Sequence, residues 1–142
     1  MTRLPAIDPD QYTHPQQVLF EALAGRPEVA EHGVVGPFAV WMHAPEIGIA
    51  LAAVGAEVRF AASLPVNVRE VAICTTGARC RAEFEFAAHR GLAIAAGVDE
   101  AALDRLAAGD EPGFDGDEAA AHAVAIELLD DHAIAEATYR DA

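Results

Sequence analysis

The chain has 142 residues, 53% of them hydrophobic and only 6% aromatic, which implies one domain whose core is packed by alanine, leucine and valine. Nine Lys+Arg, all of them arginine, face 23 Asp+Glu for a net charge of −14, which counts against nucleic acid and anionic membrane surfaces as partners because both need cations. No apolar run is long enough to span a bilayer, MTRLPAIDPDQY lacks the apolar stretch of a signal peptide, and two cysteines without one point to a cytoplasmic protein with reduced thiols. So thin a core favours closely approaching helices and burial completed between subunits, hence a homo-oligomer.

Residues 1–14 read as an extended arm, since Pro5, Pro9 and the Asp8-Pro9 step oppose helix. Pro15 suits a first helical position, with Val18, Leu19, Phe20 and Leu23 at helical spacing until Gly25. A short helix restarts at Arg26-Pro27-Glu28 and runs to about Glu31. Another covers 37–43, between Gly36 and Pro45. Pro45 and Glu46 open a helix to about Ala62, on which Ile47, Leu51, Val54 and Val58 form one apolar face. After Ser63-Leu64-Pro65, a helix carries Val68, Glu70, Val71, Ala72 and Ile73 until Gly77 ends or bends it. The next runs from about Arg79 to Ala96, with Gly97 as C-cap. Asp99 caps a short helix through Leu103 and Leu106. After an acidic loop, Asp115 and Glu118 have the spacing of a capping box for a helix ending near 130–132, and a last helical piece covers 133–139. No segment alternates as a strand does, so the fold class is all-α.

The informative stretch is 67–97. At about 100° per residue, Glu85 and His89 fall in the middle of an apolar arc with Ala82, Phe86, Leu92, Ala93 and Ala96, one turn apart. A polar pair on an inward face is costly unless something pairs or uses it. Two readings follow: a hydrogen bond that completes the core, or a functional site. Glu70 lies nineteen residues before His89, and an antiparallel hairpin turning near Gly77 would bring it back. Two carboxylates and an imidazole in one pocket can divide acid and base roles. Read alone, Glu70 is a first-turn glutamate favoured by the helix dipole.

Cys74 and Cys80 stand six residues apart, about 9 Å along a continuous helix and too far for a disulfide, so they read as two small buried thiols, with a redox pair brought together by a bend at Gly77 as the alternative. Trp41 and His43 sit in a short element pinned by prolines. The histidines at 14, 32, 122 and 132 have no ligand-like spacing, and Glu85-xxx-His89 offers no third metal ligand, so no metal is expected. The acidic loop from Asp110 to Glu118 lacks calcium-loop spacing and reads as capping and solvation.

ArgGlu at 69–70, AlaGluPheGlu at 82–85 and AlaAlaHis at 87–89, together with the Gly36-Pro37-Phe38 and Trp41–Pro45 segments, resemble the carboxymuconolactone decarboxylase and alkylhydroperoxidase D-like family. Its peroxidase branch carries a glutamate, a cysteine twelve residues on, a second three later and a histidine four after that. Glu70 and His89 match the outer pair, whereas the cysteine positions fall on Ala82 and Glu85. The resemblance covers roughly residues 15–140 and is to the non-redox branch. It implies a helical-bundle domain over 15–142 with about six to seven helices, and loss of CO2 from a small carboxylated lactone or related acid without a cofactor. His89 would be the general acid or base, Glu70 its tuning partner and Glu85 the second carboxyl group. Trp41, His43, Arg69 and Arg81 would contact substrate, the arginines by position only. The family's peroxidase activity is the alternative, although the thiolate it needs is missing from the motif. A non-catalytic helical oligomer that binds a small molecule is a further one. Family members usually continue past the equivalent of Tyr139, so the resemblance leaves two readings of the chain, a fragment or a shortened variant.

Overall fold

The structure, a computed structural model, describes residues 4–142, without the side chains of Pro27 and Glu28. No strand occurs among the described residues, which build nine α-helical segments and one 3-10 turn at Pro9–Gln11. Three of the nine are only six residues long, close to the short pieces expected near 26–31, 37–43 and 133–139, and with them the number exceeds the six to seven that the family resemblance implies. The backbone divides into two compact units, residues 1–62 and 63–142.

The first unit holds α1 (His14–Leu23), α2 (Pro27–His32), α3 (Gly36–Trp41) and α4 (Pro45–Phe60). Its core is Leu19, Leu23, Val29, Phe38, Met42 and Ala52, with Ile7 and Tyr12 of the N-terminal arm packed against it. The arm is therefore anchored; its first three residues lie outside the described ones. Gln16 fixes the start of α1, its Oε1 accepting from the Thr13 backbone N–H at 2.8 Å while its Nε2 donates to the Met42 carbonyl at 2.8 Å.

The apolar face expected on α4 is turned outward. Gly48 and Ala52 are its buried residues, whereas Ile47, Leu51, Val54 and Val58 are exposed, Val54 to 61%. The cause is the closeness of α1 and α3: a Cβ on Gly48 would meet Leu19 Cδ2 at 2.7 Å and Trp41 Cβ at 2.8 Å. Only the small-residue side of α4 fits so tight a contact, so the bulkier side is left open.

The second unit holds α5 (Val66–Arg79), α6 (Glu83–Ala95), α7 (Glu100–Ala108), α8 (Gly116–Asp130) and α9 (Glu136–Asp141). Its core is Val71, Cys74, Ala93, Val98, Leu103 and Leu106, flanked by Ala78, Phe86, Ile94, Phe114 and Ala121. Two sequence expectations hold at helix ends. Asp99 accepts from the Ala101 and Ala102 N–H groups, and Gly97, at φ 97°, follows α6 with the Val98 N–H reaching the Ala93 carbonyl at 3.0 Å. The expected capping box does not form. Asp115 makes no side-chain cap bond, and Glu118 instead accepts from Asn67 Nδ2 at 2.8 Å.

Gly77 does not end α5. The helix continues to Arg79, and the chain turns at 80–82. The Ala82 N–H returns to the Gly77 carbonyl at 2.8 Å and the Arg81 N–H to the Ala78 carbonyl at 3.1 Å, the paired bonds of a Schellman cap. Its left-handed position, usually glycine, is Arg81 at φ 53°. Gly77 serves contact instead: a Cβ there would lie 3.2 Å from the Phe86 backbone nitrogen and 3.3 Å from its Cα. The missing side chain lets α6 lie against α5.

Candidate acid–base site

The face of α5 turned to α6 carries Glu70, Cys74 and Gly77, spaced by four and three residues, and all three are buried. Because α6 starts beside Gly77 and runs back along α5, its second turn reaches Glu70. The hairpin expected from sequence is thus present, with its turn a few residues later than Gly77.

Glu70 is 1% exposed. Its Oε2 lies 2.7 Å from His89 Nδ1, and its Oε1 accepts from Arg69 Nη2 at 3.2 Å and Nε at 3.3 Å. An ionised carboxylate only accepts, so in that pairing Nδ1 carries the hydrogen. Nε2 is then the working edge of the imidazole, and it faces Glu85 Oε1 at 3.4 Å. The His89 side chain is 12% exposed and that of Glu85 46%. An imidazole is therefore held between one buried and one half-exposed carboxylate, so Nε2 can exchange a proton with the outside while Nδ1 stays locked. A buried carboxylate that orients a histidine in this way fixes its tautomer and stabilises the imidazolium.

The three residues expected to be catalytic converge. The four expected to bind substrate do not join them as a set. Arg69 stays with Glu70, its Nε and Nη2 donating to the Glu70 Oε1. Arg81 lines a different cavity, of about 550 Å³, formed with α7, α8 and the loop between them. Trp41 and His43 belong to the first unit. Trp41 packs edge-on against Phe38, ring centroids 5.2 Å apart, as a core residue. His43 Nε2 lies 3.1 Å from the Pro5 carbonyl, at the wall of a largely apolar cavity of about 690 Å³.

Cys74 lies beside the site, and burial, then the charges of Glu70 and Glu85, push its thiol up to about 12. Cys80 is exposed, which corrects the expectation of two buried thiols, and both cysteines are free. No group of three or more His, Cys, Asp or Glu among the described residues is arranged to hold a metal ion.

Sequence reasoning missed one polar pair in this unit. Thr75, fully buried, has its Oγ1 3.1 Å from His122 Nδ1, and Phe114 meets the His122 ring edge-on at 5.6 Å. Burial pulls the His122 pKa below its usual value against an opposing push from Glu111. The available signal was that His122 precedes the buried Ala125 by three residues and so shares its face; nothing local indicated Thr75.

The fold and site together define an all-helical protein with a glutamate–histidine–glutamate cluster set in a helical hairpin. Compared with protein-family models, curated proteins and solved structures, the chain matches none.

Proposed function

We propose that the chain is a cofactor-independent acid–base enzyme of the carboxymuconolactone decarboxylase-like kind, acting on a small carboxylated lactone or related acid. The observation that carries the reading is the 2.7 Å contact between His89 Nδ1 and a Glu70 carboxylate that is 1% exposed. The opposite imidazole nitrogen faces Glu85, whose side chain is 46% exposed, which gives it a proton path to the outside.

When the carboxylate–carbon bond of such a substrate breaks, its electron pair passes into the conjugated carbonyl as an enolate and CO2 departs. The His89 Nε2–H then delivers a proton to that carbon, and solvent restores it by way of Glu85. Glu70 holds the ring through Nδ1 at 2.7 Å, while Arg69 donates to the other oxygen of the same carboxyl group. General acid–base catalysis of this type contributes roughly 10²–10⁴-fold.

Peroxidase chemistry is the weaker reading, because the one thiol beside the site is pushed up to about 12 and an attacking thiolate is scarce there. The exposed row Ile47, Leu51, Val54 and Val58 supports a homo-oligomer, with α4 covered by another copy. No helix among the described residues is long and apolar enough to cross a membrane; that and the two free cysteines support the cytoplasm as the setting.

The test is CO2 release from a panel of carboxylated γ-lactones, with peroxide consumption in the presence of a dithiol as the contrasting assay. Wild type should release CO2, and His89→Ala should fold normally by circular dichroism and release none. Full activity in His89→Ala, or peroxide turnover without CO2 release, would remove the proposal.

A further inference from the structure

We propose that the cavity between the C-terminal end of α5, the α7–α8 loop and α8 is a second binding site, for a small zwitterion of the free α-amino-acid class. It goes beyond the function proposed for the Glu70–His89 centre and shares no residue with it.

The cavity, about 550 Å³, is ample for a molecule of that size. Its walls carry charges of both signs that are not used on each other. Arg81 lines it, and its guanidinium has no hydrogen-bond or ion-pair partner among the described residues. Asp110 and Glu111 line it too, and among the described residues neither carboxylate has a hydrogen-bond or ion-pair partner, although Glu111 is near enough to His122 to act on its charge. Arg79, the other cation in the wall, is already held by Asp130 at 2.7 Å. Arg81, Asp110 and Glu111 are exposed residues of one cavity wall, and opposite charges on one wall suit a ligand that bears both: a carboxylate for Arg81 and an ammonium for Asp110 and Glu111. A plain anion would meet two carboxylates, and a plain amine would leave the arginine unanswered.

The remaining wall supplies what such a ligand also needs. Leu106, Ala107 and Ile126 give an apolar surface for an aliphatic side chain. His122, its pKa lowered by burial, contributes a hydrogen-bonding edge to the wall. Assigning the fully buried Thr75 hydroxyl as donor to His122 Nδ1 leaves the Nε2–H free to donate to the ligand carboxylate.

The placement of Arg81 is itself costly. It occupies the left-handed position of the α5 cap at φ 53°, where glycine would be unstrained. Helix termination alone favours glycine there, so an arginine at the cavity wall gains a reason to be present.

L-Leucine titrated calorimetrically into the full chain tests the site, with 4-methylpentanoate and 3-methylbutylamine as carboxylate-only and amine-only probes. Leucine should saturate one site per chain, with each single-charge probe weaker by at least about tenfold, the equivalent of one lost charge-assisted hydrogen bond. Arg81→Gly should lose leucine binding by a similar factor while melting no lower than wild type, because it relieves the strained φ; misfolding therefore cannot account for the loss. Glu111→Gln should weaken leucine but not 4-methylpentanoate, and His89→Ala should bind leucine as wild type does. No saturable leucine binding, equal binding by Arg81→Gly, or equal affinity for 4-methylpentanoate would overturn the assignment.

Discussion

Two glycines of the site hairpin should respond to alanine with opposite signs. Gly77 lies inside α5 and Gly91 inside α6, and helix propensity alone predicts a gain of about 1 kcal/mol at each. At Gly91 nothing lies within 4 Å of the added Cβ, so the gain should be realised. At Gly77 the Cβ would stand 3.2 Å from the Phe86 nitrogen and 3.3 Å from its Cα. These are backbone atoms, which yield only if α6 moves as a body. Overpacking costs about 1–3 kcal/mol, and a backbone obstacle puts this case at the upper end. The net expectation for Gly77→Ala is a loss of about 2 kcal/mol after the propensity gain is counted. At about 4 °C per kcal/mol for a chain of this size, Gly77→Ala should melt roughly 8 °C below wild type and Gly91→Ala roughly 4 °C above it. Thermal denaturation followed by circular dichroism at 222 nm reads both. The reasoning fails if Gly77→Ala melts at or above wild type, for then the close approach of α6 does not depend on that glycine.

Glu70→Gln keeps the side-chain volume but removes the charge between Arg69 and His89, and breaking a buried pair this way should cost about 3 kcal/mol in denaturant unfolding; an unchanged midpoint would show that the carboxylate is not ionised in the folded protein. A thiol reagent at neutral pH should label exposed Cys80 rapidly and leave Cys74, with its thiol near 12, unmodified until the chain unfolds. His122 has a folded-state pKa below its usual 6.5, so the unfolded chain takes up that proton more readily. Its contribution to stability is intact above that value and is lost as pH falls through 6.5 and on through the lower folded-state value. Unfolding curves for His122→Gln should therefore show a shallower loss of stability below neutrality than wild type, and parallel curves would contradict the assignment. Val54→Glu on the open face of α4 should shift the sedimentation coefficient toward the monomer if that row is covered by another copy.

The helix boundaries were legible because proline, glycine and aspartate mark them by local backbone chemistry, as at Pro45, Gly97 and Asp99. Glu85 and His89 were legible because one helical turn separates them on an apolar arc. Their meeting with Glu70 needed only the hairpin. What stayed hidden was non-local. Gly77 looks like a helix breaker in any single-chain reading, since its use, contact with Phe86, belongs to another helix. The row from Ile47 to Val58 was legible as one apolar face, but not that it is left exposed; the tight approach of Leu19 and Trp41 puts Gly48 and Ala52 inside instead. Glu118 has capping-box spacing but is taken by Asn67, 51 residues away. The Thr75–His122 pair spans 47 residues and had no sequence signature.

The central claim is that Glu70 holds His89 with Nδ1 protonated inward and Nε2 free to work. Nitrogen-15 NMR of the His89 ring, recorded at alkaline pH where the imidazole is neutral, tests this most directly. The geometry predicts a protonated Nδ1, a bare Nε2, and loss of that preference in Glu70→Gln. A ring protonated at Nε2 with Nδ1 bare, unaffected by Glu70→Gln, would contradict the account.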